Sequence, residues 1–273
     1  MNEPQKEFYF HRASGIRSNQ STQHYHSTFE IYYMKEGRCH YFIDDKSYEV
    51  RSGDLILIPD GVIHKTGYYS DTYTRLLVNC SYDYIPREVV EALPKETYLY
   101  RDPEIAREAE QILSHIEAEY RTADAFSDHA FRCYTGALFQ LLLRSKIRTP
   151  SDGDDSPIRR VVKFVRENYT SRLLLSDVAK HFSFTPEHLS RAFKKETGFG
   201  FCEYLTLLRL RKAEFMLRNE PGRAICEVAY ACGFNDSNYF SDKFKKTYGV
   251  PPSAIRKQGA MRAPMGGAAD ANG

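Results

Sequence analysis

The sequence predicts an α+β protein of two domains, with strands in the first half and only helices in the second. Three observations carry that expectation. At 273 residues the chain exceeds the ~100–200 residues usual for one domain. Its hydrophobic pattern changes from alternation to helical spacing along the chain. Its charge is also divided. Residues 1–150 carry 18 Lys and Arg against 22 Asp and Glu, a balance of −4, whereas residues 151–258 carry 19 against 13, a balance of +6. A basic half points to a polyanionic partner, and the acidic half to a different task.

Composition narrows the class further. Hydrophobic residues make up 42% and charged residues 27%, enough to bury a core and remain soluble. No run approaches the ~20 apolar residues of a membrane span. Residues 1–7 are charged and lack the apolar stretch of a secretion signal. Six scattered cysteines contain no C-x-x-C pair, which suits reduced thiols in a cytoplasmic protein.

In chain order, residues 29–34, 39–43, 47–50 and 54–58 are short, β-branched or aromatic, and separated by Gly or Asp turns. Strands at this spacing predict an antiparallel sandwich or barrel. The period then changes. Ile105, Ala109, Ile112, Leu113, Ile116 and Tyr120 predict a helix over 103–120, opened by Asp102 as N-cap and Pro103 in the first turn. A second stripe, Phe131, Tyr134, Leu138, Leu141 and Leu142, predicts a helix over 128–146. Two such helices can lid the sheet or form a dimer seam. Prolines, glycine and aspartates over 147–157 read as a linker. The domains are therefore expected at 1–146 and 158–258, and 259–273 reads as a disordered tail.

The basic half contains a repeat. Asp177–Phe184 aligns with Glu227–Phe234, Leu189–Lys195 with Phe240–Lys246, and Gly198 with Gly249. Each copy has the pattern of a helix-turn-helix: a short helix burying Val178 and Ala179 (or Val228 and Ala229), a turn, then a second helix. That second helix buries Leu189 and Phe193 (or Phe240 and Phe244). Residues 202–217 between the copies read as one helix of roughly 24 Å. With the two motif bodies it would set the second helices about one DNA turn, ~34 Å, apart.

The first half also has two spaced motifs. His24, His26, Glu30 and Gly37 fit H-x-H-x3-E-x6-G, and Gly53, Pro59, Gly61 and His64 fit G-x5-P-x-G-x2-H. Three imidazoles and a carboxylate suit iron, manganese, nickel or zinc. Both spacings resemble the two cupin motifs, which implies a double-stranded β-helix barrel over residues 8–82. His24, His26, Glu30 and His64 are then candidate ligands for a divalent metal. The same residues with Arg38 are candidate contacts for an organic effector, with Tyr33, His40, Tyr41 and Phe42 nearby. The organic effector, with no metal cofactor, is the preferred occupant.

Residues 158–257 resemble the DNA-binding domain of the AraC/XylS family of bacterial transcription regulators. The stretches His188–Gly198, Arg209–Ala213, Val228–Phe234, Tyr239–Lys246 and Gly249–Ser253 carry the likeness. The resemblance implies base contacts from Glu187, Ser190 and Arg191 on the first recognition helix, and from Ser237, Asn238 and Ser241 on the second. Arg191 is favoured because a guanidinium can take guanine O6 and N7 together. Lys194, Lys195, Lys245 and Lys246 fall near phosphates or on solvated surface. Asp242 departs from the family pattern, standing where a basic residue is common; an acid there either weakens binding by the second helix or accepts a hydrogen bond from a cytosine N4 amine, and the first helix is expected to carry most of the specificity.

The leading reading is a non-enzymatic regulator, homodimeric through the helices over 103–146. It would bind operator DNA, sense a small molecule in the barrel, and contact RNA polymerase if it activates. The alternative is a metal-dependent cupin enzyme or metal sensor fused to a DNA-binding domain. A nucleoid-type structural protein fits poorly, since it needs no small-molecule barrel.

Overall fold

Alternating apolar and aromatic residues in the first half form strands, and their register sorts the side chains into two cores. The structure, a computed structural model, describes residues 7–16, 28–68, 72–93, 99–145 and 156–262. The strands are β1 (Phe8–Ile16), β2 (Phe29–Glu36), β3 (Arg38–Ile43), β4 (Lys46–Arg51), β5 (Leu55–Ile58), β6 (His64–Tyr68), β7 (Thr72–Cys80) and β8 (Leu99–Tyr100). They form a five-stranded sheet, β1-β7-β2-β5-β8, and a three-stranded sheet, β4-β3-β6. All pairings are antiparallel.

Successive side chains on a strand face opposite ways. One face of the large sheet therefore presents Phe29, Ile31 and Tyr33 of β2 with Leu76, Val78 and Cys80 of β7 to an outer core. The other presents Tyr32, Met34 and Leu77, which share an inner core with Cys39, Tyr41 and Ile43 of β3 and Tyr48 and Val50 of β4. The two sheets thus close on one another around an interior.

Helices α1 (Arg87–Ala92), α2 (Pro103–Thr122) and α3 (Ser127–Arg144) follow. The Asp102 carboxylate accepts from the Glu104 backbone N–H at 2.9 Å, satisfying a donor that the first turn of α2 would otherwise leave open. Ile105, Ala109, Leu113 and Ile116 of α2 and Phe131, Leu138, Phe139 and Leu142 of α3 complete the outer core. Most of each apolar stripe is buried within the protomer, so the helices lid the large sheet, and Ile112, Tyr120, Tyr134 and Leu141 are left partly buried.

The chain divides into two compact units, Met1–Val162 with Glu187–Gly200, and Lys163–Pro186 with Phe201–Gly273. Residues 187–200 pack with the first of these units. The reason lies on the outer face of the small sheet. There Phe42 meets Phe199 edge to face at 6.1 Å, Lys65 Nζ stands 4.7 Å from the Phe199 ring centroid, and Ser47 Oγ donates to the Glu196 carbonyl at 3.2 Å. Most of the expected linker lies outside the described residues.

The helices of the second half are α4 (Pro157–Asn168), α5 (Leu175–His181), α6 (Pro186–Thr197), α7 (Phe201–Asn219), α8 (Ile225–Ala231), α9 (Ser237–Tyr248) and α10 (Pro252–Arg262). The repeat is visible in their lengths, since α5 and α8 both have 7 residues and α6 and α9 both have 12. Leu210, Ala213, Met216 and Leu217 of α7 form a core with Val228, Ala229, Phe240, Phe244 and Ile255. Helix α10 extends past the expected boundary at 258, and residues 263–273 of the expected tail lie outside the described residues.

The turns after α5 and α8 match bond for bond. Phe184 N–H reaches the Ala179 carbonyl at 2.8 Å, and Phe234 N–H reaches Ala229 at 3.0 Å. Both need a left-handed residue, supplied by Ser183 (φ 59°) in one copy and Gly233 (φ 90°) in the other. A serine there carries a steric penalty that glycine avoids. Ser183→Gly is expected to stabilise the protein by about 0.5–1 kcal/mol once glycine's larger unfolded-state entropy is subtracted. Thermal denaturation checks this; a lower melting temperature would mean that the serine hydroxyl contributes more than the strain costs.

All six cysteines are free thiols. Burial pushes Cys39 and Cys80 up to about 12 and Cys232 up to about 11, whereas Cys133, Cys202 and Cys226 are exposed. Among the described residues, no helix is long and apolar enough to cross a membrane.

Candidate nucleic-acid interface and effector pocket

Helix α6 is two-faced. Leu189 and Phe193 are fully buried, and Glu187, Ser190, Arg191, Lys194 and Lys195 are all exposed. Arg191 Nε makes one long contact, 3.4 Å, to the Glu187 carbonyl one turn back. The side chain therefore lies along its own helix, with most of its donors open to solvent.

Helix α9 repeats the design with a different surface. The Asp236 carboxylate caps it, accepting from Asn238 and Tyr239 N–H at 2.7 and 3.0 Å. Phe240 and Phe244 are buried, while Asn238, Asp242, Lys245 and Lys246 are exposed and Ser237 and Ser241 are half-buried. Ser241 Oγ donates to the Ser237 carbonyl at 2.8 Å, which turns that hydroxyl back onto the helix. Sequence reasoning missed Tyr239, which is 50% exposed with the Lys243 ammonium 5.3 Å from its ring centroid. Its signal was available as an aromatic on the polar side of the helical pattern.

In the first unit, Glu30 and His64 come together in the interior, each only 2% exposed, with Oε2 and Nε2 3.8 Å apart. Tyr41 donates to Glu30 Oε1 at 2.6 Å. Burial and the adjacent Glu30 carboxylate hold the Tyr41 hydroxyl well above its ordinary pKa, so it remains a donor. His64 Nδ1 lies 2.8 Å from the Val62 carbonyl, which fixes the ring proton on Nδ1 and aims Nε2 at Glu30.

Arg38 does not join them. It shares a face of β3 with His40 and Phe42, opposite Tyr41, and its side chain is 63% exposed beside Glu49. Tyr33 also faces away, donating to Glu110 at 2.9 Å among the helices. The interior guanidinium is Arg75 of β7, which sequence reasoning missed; its Cζ lies 5.8 Å from the Tyr32 ring centroid. His24 and His26 lie outside the described residues. Among the described residues, no three or more His, Cys, Asp or Glu side chains gather to hold a metal.

An interior that holds polar groups between two sheets, and helices that expose lysines and an arginine, suit a class: a DNA-binding protein with a small-molecule-binding domain. Two family models match the chain, an AraC-like ligand binding domain over residues 7–133 and a helix-turn-helix domain over residues 178–258. The chain belongs to the AraC family of transcription regulators.

Among its relatives is the HTH-type transcriptional activator RhaS of Klebsiella pneumoniae (strain 342), 24% identical over 246 residues that cover 86% of this chain and 87% of RhaS. The activator RhaR of Mannheimia succiniciproducens is 24% identical with the same coverage. Among solved structures, ToxT from Vibrio cholerae O395 aligns with 92% of this chain and 97% of its own, at 16% identity and a TM-score of 0.38.

Proposed function

We propose that this regulator reads operator DNA through two helix-turn-helix motifs, α5–α6 and α8–α9, under the control of a small organic molecule bound inside a cupin-type barrel. The observation that carries the reading is the matched pair of 12-residue helices α6 and α9, each buried on its aromatic side and polar on the other. Helix α6 offers Arg191 with Glu187 and Ser190 for base edges, and Lys194 and Lys195 for phosphates. Helix α9 offers Ser237, Asn238, Lys245 and Lys246, with Ser241 already engaged and Asp242 repelling phosphate. The first motif therefore carries most of the base discrimination.

The effector acts by binding two states of the protein with different affinity. A cytoplasmic homodimer fits this use. Because most of the apolar stripes of α2 and α3 is buried inside the protomer, a dimer seam would use their outer edge, where Ile112, Tyr134 and Leu141 are only partly buried. RhaS and RhaR are named as activators, which favours activation here and contact with RNA polymerase. A non-enzymatic role follows from the same reading. The alternative of a metal-responsive barrel rests on the Glu30–His64 approach, and a metal assay of the protein purified without a histidine tag decides it.

The test is selection of duplexes from a random pool, followed by binding of Arg191→Ala. The expected results are an enriched consensus and a loss of about 1–3 kcal/mol on it, with relaxed preference at one position. Failure to enrich any sequence would overturn specific recognition. An equal loss on consensus and random duplexes would make Arg191 a phosphate contact.

A further inference from the structure

The inner face of β7 carries two buried polar atoms with no hydrogen-bond partner among the described residues. Tyr73, Arg75, Leu77 and Asn79 alternate with Leu76, Val78 and Cys80, which are committed to the outer core. The central position of β7, between β1 and β2, sets those four side chains toward the interior shared with Tyr32 and Tyr41. Arg75 Nη1 is buried without a hydrogen-bond partner, and so is Asn79 Oδ1. Arg75 meets the Tyr32 ring face, and the Glu30 charge acts on it without a direct bond, while Glu30 itself accepts from the Tyr41 hydroxyl and faces His64.

A buried guanidinium nitrogen without an acceptor is costly, and proteins ordinarily satisfy such a donor. Its planar N–H groups match a carboxylate held through two parallel hydrogen bonds. Further along the same face, Asn79 stands opposite Glu30 in the β2–β7 register. The amide and the carboxylate together suit a ligand hydroxyl. Between the two ends lie Leu77 and Tyr32, also paired in register, which give the middle of the site an apolar and aromatic wall.

We propose that the effector is a small hydroxycarboxylic acid, its carboxylate on Arg75 and its hydroxyl between Asn79 and Glu30. This rests on the reading of the barrel interior as the effector pocket. Arg75 is then the residue that selects acids over neutral polyols of the same shape.

Two measurements on the full chain test this. The first needs no ligand: Arg75→Met is expected to leave the melting temperature of the ligand-free protein no lower than that of the wild type, since Nη1 has no hydrogen-bond acceptor to lose. A lower melting temperature would make Arg75 a structural residue and overturn the proposal. The second is a thermal-shift panel of acids, each set against its alcohol: gluconate and sorbitol, lactate and propylene glycol, phenyllactate and its diol. At least one acid is expected to stabilise the wild type while its alcohol does not, with affinity falling at least about tenfold in Arg75→Met and in Asn79→Ala.

Stabilisation by alcohols as strongly as by acids, by no acid at all, or undiminished in Arg75→Met would each overturn the acid assignment. Leu77→Phe separates that failure from failure of the pocket reading. A ligand that still binds fully when the interior is narrowed sits elsewhere, and the pocket itself is then wrong.

Discussion

Gly233→Ala is expected to destabilise the helical unit by about 3 kcal/mol or more and to abolish operator binding. An added Cβ would lie 2.7 Å from the Thr170 carbonyl oxygen and 2.9 Å from Arg209 Nε. Neither neighbour can yield easily. Arg209 donates to the Tyr169 carbonyl at 2.7 Å and to the Ser171 carbonyl at 2.8 Å, tying the segment before α5 to α7. The left-handed backbone alone costs a non-glycine residue about 1–2 kcal/mol, and disturbing a charge-assisted clamp adds at least as much. For a unit of this size the melting temperature should fall by roughly 10–20 °C. Calorimetry checks it, and a change below about 1 kcal/mol would show that the turn relaxes around the methyl group.

The other large effect belongs to the sheet-rich unit. Phe139 is fully buried and stands edge to face with Phe29 at 5.5 Å, joining α3 to β2. Phe139→Ala removes that contact and opens a cavity, a loss of about 3–5 kcal/mol. The expected result is a drop of roughly 10 °C or more in the transition of this unit. Core residues of the second unit, Phe240 and Phe244 among them, belong to a separate cluster. Their transition should therefore move little. If both transitions shift together, the two cores unfold as one, and the division into units does not hold energetically.

Much of the fold was legible because local rules and tertiary packing agree in it. Asp102 and Pro103 mark the start of α2 in the sequence, and the structure begins the helix there for the capping reason the sequence suggests. The repeat was legible because the same turn must be built twice, which forces Phe184 and Phe234 into equivalent places. The interior site was less so. Arg38 and Arg75 both lie on strands, and only strand phase distinguishes them. The turn at Gly37, with φ 94°, resets the phase between β2 and β3, so parity counted from Glu30 cannot be carried into β3. Which face of β7 meets the interior depends on two neighbours distant in sequence, and no local pattern encodes that. The attachment of residues 187–200 to the small sheet is likewise a matter of shape, since Phe199 is one aromatic among many.

The distribution of thiols has a practical corollary. Cys39 and Cys80 are sealed in the inner and outer cores of the first unit, and Cys232 in the core of the second. An alkylating reagent needs both access and thiolate, and the fold denies these three residues both. Cys133, Cys202 and Cys226 should be consumed within the mixing time of an ordinary labelling reaction. Each slow thiol then acts as a timer for one core, and mass spectrometry of quenched samples reads local opening in both units from a single native chain. On the proposed reading of the interior as the effector pocket, a bound effector slows the Cys39 timer, because its core surrounds that interior.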